Sequence, residues 1–219
     1  MASKLDIYKQ ALVHIGKAGI TALTDDVESR HVFDTAWTGV VEEAFNSGDW
    51  NFAKKSALLV WNEGATPATG WSYAMDYPAD YMRTLAVSPR PRFDEPFYDY
   101  ADEGGLLSAN TNVIYLRYIS DDNTDDTTTW PTMFWRYVAL FLAYETCEKL
   151  TNGSTKQEDL EKRLERALRK ARSVDARNEN NKLLPTGSWL RARRGGGVGR
   201  SDSGGTLVGG QITLGEGDV

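Results

Sequence analysis

The sequence predicts a mainly α-helical fold: a four-helix bundle-like body, a small antiparallel β region inserted into it, and an extended Gly-rich C-terminal arm. Three observations carry that expectation. Residues 130–150 read WPTMFWRYVALFLAYETCEKL, apolar on nearly every side, with Arg136 and Glu145 the only charges before Glu148. A helix without a wide polar face must be covered over most of its surface, so other helices are expected to wrap this one. Between 61 and 129 the punctuation by Gly64, Pro67, Gly70, Pro78, Pro89, Pro91 and Pro96 leaves only short pieces with strand-like alternation. Finally, residues 183–219 contain 11 glycines, a composition that loses too much backbone entropy to build a core by itself. The expected divisions are therefore 1–60 (two helices and a short strand), 61–129 (inserted β region), 130–182 (two further helices) and 183–219 (arm).

In chain order, Ser3 followed by Asp6 has the spacing of a capping box, and Leu5, Tyr8, Leu12 and Ile15 recur at helical intervals. Gly16 and Gly19 end that first helix. Asp25, with Glu28 three residues on, is expected to cap a second helix running to about Phe45, its apolar face made of Phe33, Trp37, Val40, Val41 and Ala44. Trp50 and Phe52 alternate with polar neighbours, predicting a short strand through Val60. In the inserted region the strand candidates are 82–87, 97–100 and 112–119, the last (NVIYLRYI) the clearest. The run from Ser120 to Thr129 holds Asp121, Asp122, Asp125 and Asp126 but lacks the central Gly and terminal Glu of a calcium loop, so it reads as a solvated loop.

Pro131 suits the first position of the apolar helix, since its missing N–H is not needed there. That run is interrupted too early to span a bilayer, which takes about 20 apolar residues. Asn152 and Gly153 then close it, and Thr155 with Glu158 opens a fourth helix by a capping box. Leu160, Leu164, Ala167, Leu168, Ala171 and Val174 form its apolar stripe.

Composition narrows the function classes. The 219 residues are 41% hydrophobic, enough for one ordinary core. Seven Trp and ten Tyr are many for this length, and surplus aromatics often serve interfaces. The single cysteine, Cys147, permits no disulfide within the chain, and the opening MASKLDIYKQ has no apolar signal segment, so nothing points to secretion. Charge is polarised. Residues 1–154 carry 12 basic and 22 acidic side chains, residues 155–200 carry 13 and 6, and the last nineteen carry 3 acidic and no basic ones. The acidic body argues against general wrapping of nucleic acid, whereas the basic segment suits a nucleic acid or an acidic protein.

No constellation suggests catalysis, a metal site or a cofactor. His14 and His31 have no partner at ligand spacing, and Cys147 has no activating neighbour in sequence. Asp25–Asp26 and Glu42–Glu43 are adjacent pairs, which do not face each other on a helix. The Gly-rich run from Arg193 to Arg200 lacks the Lys-Ser or Lys-Thr of a phosphate loop. Two readings of it stand: a basic segment on nucleic-acid phosphates, or an arginine anchor on acidic protein carboxylates. Lys162, Arg163, Arg166, Arg169, Lys170 and Arg172 form a basic face on the fourth helix, which salt bridges to Glu158, Glu161 and Glu165 would partly neutralise.

Several stretches, in order, resemble one family. LDIYKQALVHIGKAGITALTDD, the second helix, SGDWNFAKK (47–55), YPADYMRT (77–84), VIYLRYI (113–119) and the apolar helix itself are similar to the head-to-tail adaptors of short-tailed bacteriophages, the T7-like tail tubular protein A group of gatekeeper or connector proteins. The likeness covers about residues 4–190, and the sequence departs from the family's pattern after about Arg191. It implies a non-enzymatic virion protein assembled in the host cytoplasm: a helical bundle with an inserted β region, twelve subunits forming a ring between portal and tail, and double-stranded DNA passing through the lumen during packaging and ejection. It further implies that residues 183–219 reach the portal and that the 61–129 region faces the tail nozzle. The apolar islands and cations of the arm, Leu184, Trp189, Leu190, Arg191, Arg193, Arg194, Arg200, Leu207, Val208, Ile212 and Leu214, are the portal-binding candidates. Trp61, Trp71 and Tyr73 are the candidates for subunit or nozzle contacts. The competing expectation is a nucleic-acid-binding module using the basic fourth helix and the Arg-Gly segment.

Overall fold

The first helix, α1 (Lys4–Ile15), starts as its sequence dictates. The Ser3 hydroxyl receives the Asp6 amide at 3.2 Å, and the Asp6 carboxylate receives the Ser3 amide at 2.9 Å. It ends at Gly16, whose φ of 75° lies in the left-handed region that glycine enters without a Cβ penalty. A Cβ there would also press on the Lys156 ammonium, which donates to the Ile15 carbonyl from the fourth helix. The protein is seen in a computed structural model that describes residues 2–151 and 154–178.

The second helix, α2 (Glu28–Asn46), buries Phe33, Trp37, Val40, Val41 and Ala44, the expected face. Its start corrects the sequence reading. Val27 is the cap residue and no side chain caps the helix. Asp25 instead turns back, its carboxylate accepting from the Thr21 amide at 2.7 Å, the Thr21 hydroxyl at 2.9 Å and the Ala22 amide at 3.0 Å. Those donors belong to the preceding loop and outcompete the helix terminus for the same short carboxylate.

Six strands follow: β1 (Lys54–Val60), β2 (Tyr73–Asp76), β3 (Tyr81–Ser88), β4 (Tyr100–Glu103), β5 (Leu106–Ala109) and β6 (Val113–Ser120). They make two three-stranded antiparallel sheets, ordered β1-β6-β3 and β2-β5-β4. The strand expected from Trp50 begins only at Lys54, because residues 51–53 turn and Trp50 is buried in the helical body. Of 97–100 only Tyr100 is in a strand, and β2 and β5 are too short to carry an alternating signal. Ile114, Leu116 and Tyr118 alternate on β6 toward Met75, Leu107 and Ala109 of the other sheet, filling a small core between the two.

β3 carries two register shifts, between Tyr81 and Arg83 and between Thr84 and Ala86. The extra residues are Met82 and Leu85, and both pack against the core of the helical body. A bulge re-aims the side chain of the inserted residue. Here two of them let one strand serve both cores.

After a 3-10 turn at Thr127–Thr129, helix α3 (Thr132–Thr151) runs through the middle of the body. The carbonyl of Pro131 already accepts from the Trp135 amide at 3.1 Å, so the proline precedes the first helical residue. α3 has buried residues on most of its faces, as its unbroken apolar sequence demands, and α1, α2 and α4 (Ser154–Arg177) all pack on it. α4 starts at Ser154, which places Thr155 inside the first turn and not at the cap. Asn152, Gly153 and the arm from 183 onward lie outside the described residues. The fold is thus a mainly helical body of four helices with a two-sheet antiparallel β region inserted between α2 and α3.

Candidate functional site: exposed faces of the body

Three surfaces combine chemistry with accessibility. The first lies along β1, an edge strand whose partner is β6. In KKSALLV the inward positions include the buried Leu59, and the outward face, polar at Lys54 and Ser56, is apolar at its end: Leu58 is 51% and Val60 58% exposed. The strip continues into Trp61, 40% exposed, whose ring meets that of Tyr73 edge-on at 5.3 Å. An isolated bridge from Trp61 to Met75 fixes this end of β1 against the second sheet. The structure therefore brings Trp61 and Tyr73 together. Trp71 is half-buried ahead of β2 and forms no ring pair with them among the described residues. Leu58 and Val60 were not singled out in the sequence, although a strand end with no polar outward position was a legible signal.

The second surface is a polar knot where β1, β6 and the turn before β3 meet. The Asp80 carboxylate accepts from the Lys55 ammonium at 2.8 Å, the Ser120 hydroxyl at 2.7 Å and the Tyr118 hydroxyl at 3.0 Å. Lys55 also pairs with Asp122. Burial alone would push the Asp80 carboxyl up. The ammonium and the two hydroxyls outweigh it and hold the group at about 2. Burial and the bond to Asp80 push the Tyr118 hydroxyl up to about 12. Hydrogen bonds from Asp122 and Asp80 raise the Lys55 ammonium as well. Asp80, Tyr118 and Lys55 are thus each pushed further into their ordinary charge states at neutral pH, which suits a structural clasp and not proton transfer.

The third is a cleft of about 440 Å³ between the end of α2, β3 and the end of α4. Its cations are already committed. Arg83 donates to the Gly48 carbonyl at 3.1 Å and to Asp49 at 2.9 Å, and Arg172 donates to the Ser47 carbonyl. Asp175 holds the Asn51 amide at 2.9 Å. These contacts satisfy carbonyls at a helix C-terminus, where cations also complement the dipole.

The remaining candidates fall into packing and surface roles. Cys147 is fully buried, with Thr151 as a neighbour. His14 is lowered by burial and by the nearby Arg163, and His31 is an exposed partner of Asp26 at 2.8 Å. No group of three or more potential metal ligands occurs among the described residues, and no helix there is long and apolar enough to cross a membrane. On α4, Arg163 pairs with Asp159 at 2.8 Å and Arg169 with Glu165 at 3.6 Å, so the partner of Arg163 is not one of the three glutamates expected. Lys162, Arg166 and Lys170 are exposed and form no ion pair among the described residues. The portal-binding candidates between Leu184 and Leu214 lie outside the described residues. No protein-family model and no curated protein matches the chain.

Proposed function

We propose that the chain is a structural head-to-tail adaptor of a phage virion, which forms a ring joining portal to tail nozzle and lets double-stranded DNA pass. One observation carries this reading. The body has the architecture that the resemblance implies, helices on either side of an inserted antiparallel β region and a central apolar helix sheathed by the other three. The apolar strip Leu58, Val60 and Trp61 supports it further, since it gives the β region a face suited to a nozzle protein or a neighbouring subunit. Residues 183–219 are the proposed portal-binding arm. No catalytic residue and no cofactor is part of the proposal.

Imaging of the purified chain with its portal protein tests the reading: a ring seated on the portal is expected. Deleting 183–219 should leave the helical circular dichroism intact and abolish co-sedimentation with the portal; unchanged co-sedimentation removes the arm from the proposal. A second reading, a nucleic-acid-binding module, draws on Lys162, Arg166 and Lys170, which form no ion pair among the described residues. It calls for duplex binding by the isolated chain that weakens steeply with salt.

A further inference from the structure

α4 presents two opposite faces. Leu160 and Ala171 are buried against α3, while Lys162, Arg166 and Lys170, four residues apart, are exposed and form no ion pair among the described residues. Elsewhere on the body, α2 and the loop that follows β6 enclose a cleft of about 330 Å³ lined by Glu42, Asn46, Tyr81, Met82, Asp121 and Thr124. A smaller one of about 50 Å³ beside it adds Asp125 to the same Glu42. The Glu42, Asp121 and Asp125 carboxylates accept no hydrogen bond and form no ion pair among the described residues. The cleft thus joins uncompensated acids to the side chains of Tyr81 and Met82, a setting that takes the aliphatic stem and cationic head of a long basic side chain.

α2 and α4 both pack on α3, and they approach each other near the Ser47–Asn51 turn. The cationic face and the acidic cleft do not satisfy one another within the chain, where no ion pair joins them among the described residues. We propose that they do so between chains: the Lys162–Arg166–Lys170 face of one copy seats in the Glu42–Asp121–Asp125 cleft of the next. Two different patches on the same body make a heterologous contact, which generates a ring when the rotation closes. Residues 1–154 carry an excess of acids, with 22 acidic against 12 basic side chains, so copies repel except in the orientation that opposes these patches. The same excess makes a nucleic acid a poorer occupant of the α4 face. The inference rests on the ring-forming reading above and names its contact surfaces.

The full chain should sediment as a concentration-dependent oligomer at about 50 mM salt and dissociate toward monomer at about 500 mM, where exposed charges are screened. Two triple variants test the surfaces, Lys162→Glu/Arg166→Glu/Lys170→Glu and Glu42→Lys/Asp121→Lys/Asp125→Lys. Each alone should self-associate at least about tenfold more weakly, and an equimolar mixture should recover association to within about threefold of the parent chain. Recovery in the mixture also proves that both variants fold. Oligomers unaffected by either triple change would overturn this contact while leaving a ring built through another surface. A mixture that stays monomeric, or a parent chain that is monomeric at every salt concentration, would overturn it too; imaging with the portal then decides the ring reading separately. Retained self-association with lost duplex binding in the α4 variant would assign the cationic face to nucleic acid instead.

Discussion

Phe134 sits within 4.9–5.2 Å, centroid to centroid, of Phe45, Trp50, Phe52 and Trp130, four rings drawn from α2 and the segments beside it. The β region has no ring so surrounded among the described residues: Tyr77 stacks on Tyr81 at 4.0 Å, and Tyr81 tilts against Tyr118 at 6.0 Å. Its interior is mostly aliphatic, with Leu107, Ile114 and Leu116 held between two sheets whose second layer consists of strands four residues long. The two indole N–H groups of the aromatic cluster are satisfied inside the body, Trp50 on the Ala44 carbonyl at 2.8 Å and Trp130 on the Asn123 carbonyl at 2.7 Å. Large rings with satisfied polar ends bury more area per residue than small aliphatics do, and they interlock segments far apart in sequence. The helical body is therefore the stable platform, and the β region is the part expected to open at lower cost.

The largest test of that contrast is truncation in each core. Phe134→Ala should cost about 3–5 kcal/mol in a denaturant melt and lower amide protection throughout the chain. Leu116→Ala, also fully buried, should cost about 2–4 kcal/mol but lose protection chiefly in the strands. Equal, chain-wide loss in both variants would mean that the two cores open as one unit. Trp135 is only half-buried, so Trp135→Ala should fall well below Phe134→Ala.

The Asp80 clasp, which ties β1 and β6 to the turn before β3 inside the β region, gives a smaller, pH-dependent effect. Asp80 is held at about 2 in the folded chain. An unperturbed Asp titrates near about 3.9, so on acidification the unfolded state takes up the proton first. The stabilisation is complete above about pH 4 and is lost as pH falls through about 2. Asp80→Asn should cost about 1.5–3 kcal/mol at neutral pH and flatten the acid limb of stability against pH. An acid limb identical to the parent's would show that the clasp contributes little.

Ser3→Ala removes the side-chain acceptor of the α1 capping box and should lower stability by about 1 kcal/mol, read as a melting shift with the far-UV spectrum otherwise unchanged. The smallest expected effect on stability belongs to Leu58→Thr/Val60→Thr, below about 0.5 kcal/mol, because both side chains are already mostly in water. Under the adaptor proposal the same pair should weaken binding of the nozzle protein or the neighbouring subunit in a pull-down. Unchanged binding would remove this strip from the interface.

Legibility followed signal length. α3 could be read from sequence because twenty residues without a polar face admit one explanation. The α1 cap was equally local, with both partners three residues apart. β2 and β5 were missed since four residues hold barely two periods of alternation. Asp25 was misassigned because its carboxylate had two sets of nearby donors and only the loop's path chose between them. Of the candidate surface residues, Trp61 and Tyr73 were foreseen as surplus aromatics, together with Trp71, but not as a pair. The acidic cleft was not, since Glu42 and Asp121 lie far apart in the chain and meet through folding.

The sequence by itself determined which segments are helices, that α3 is sheathed, and that a β region interrupts the bundle, because each follows from periodicity and capping within a few residues. Only the tertiary structure decided that β1 pairs with β6, that bulges at Met82 and Leu85 fasten one sheet to the helices, and which charges pair with one another among the described residues. Those outcomes depend on strand pairing and on competition among distant partners for the same groups, energies that no single stretch of chain contains.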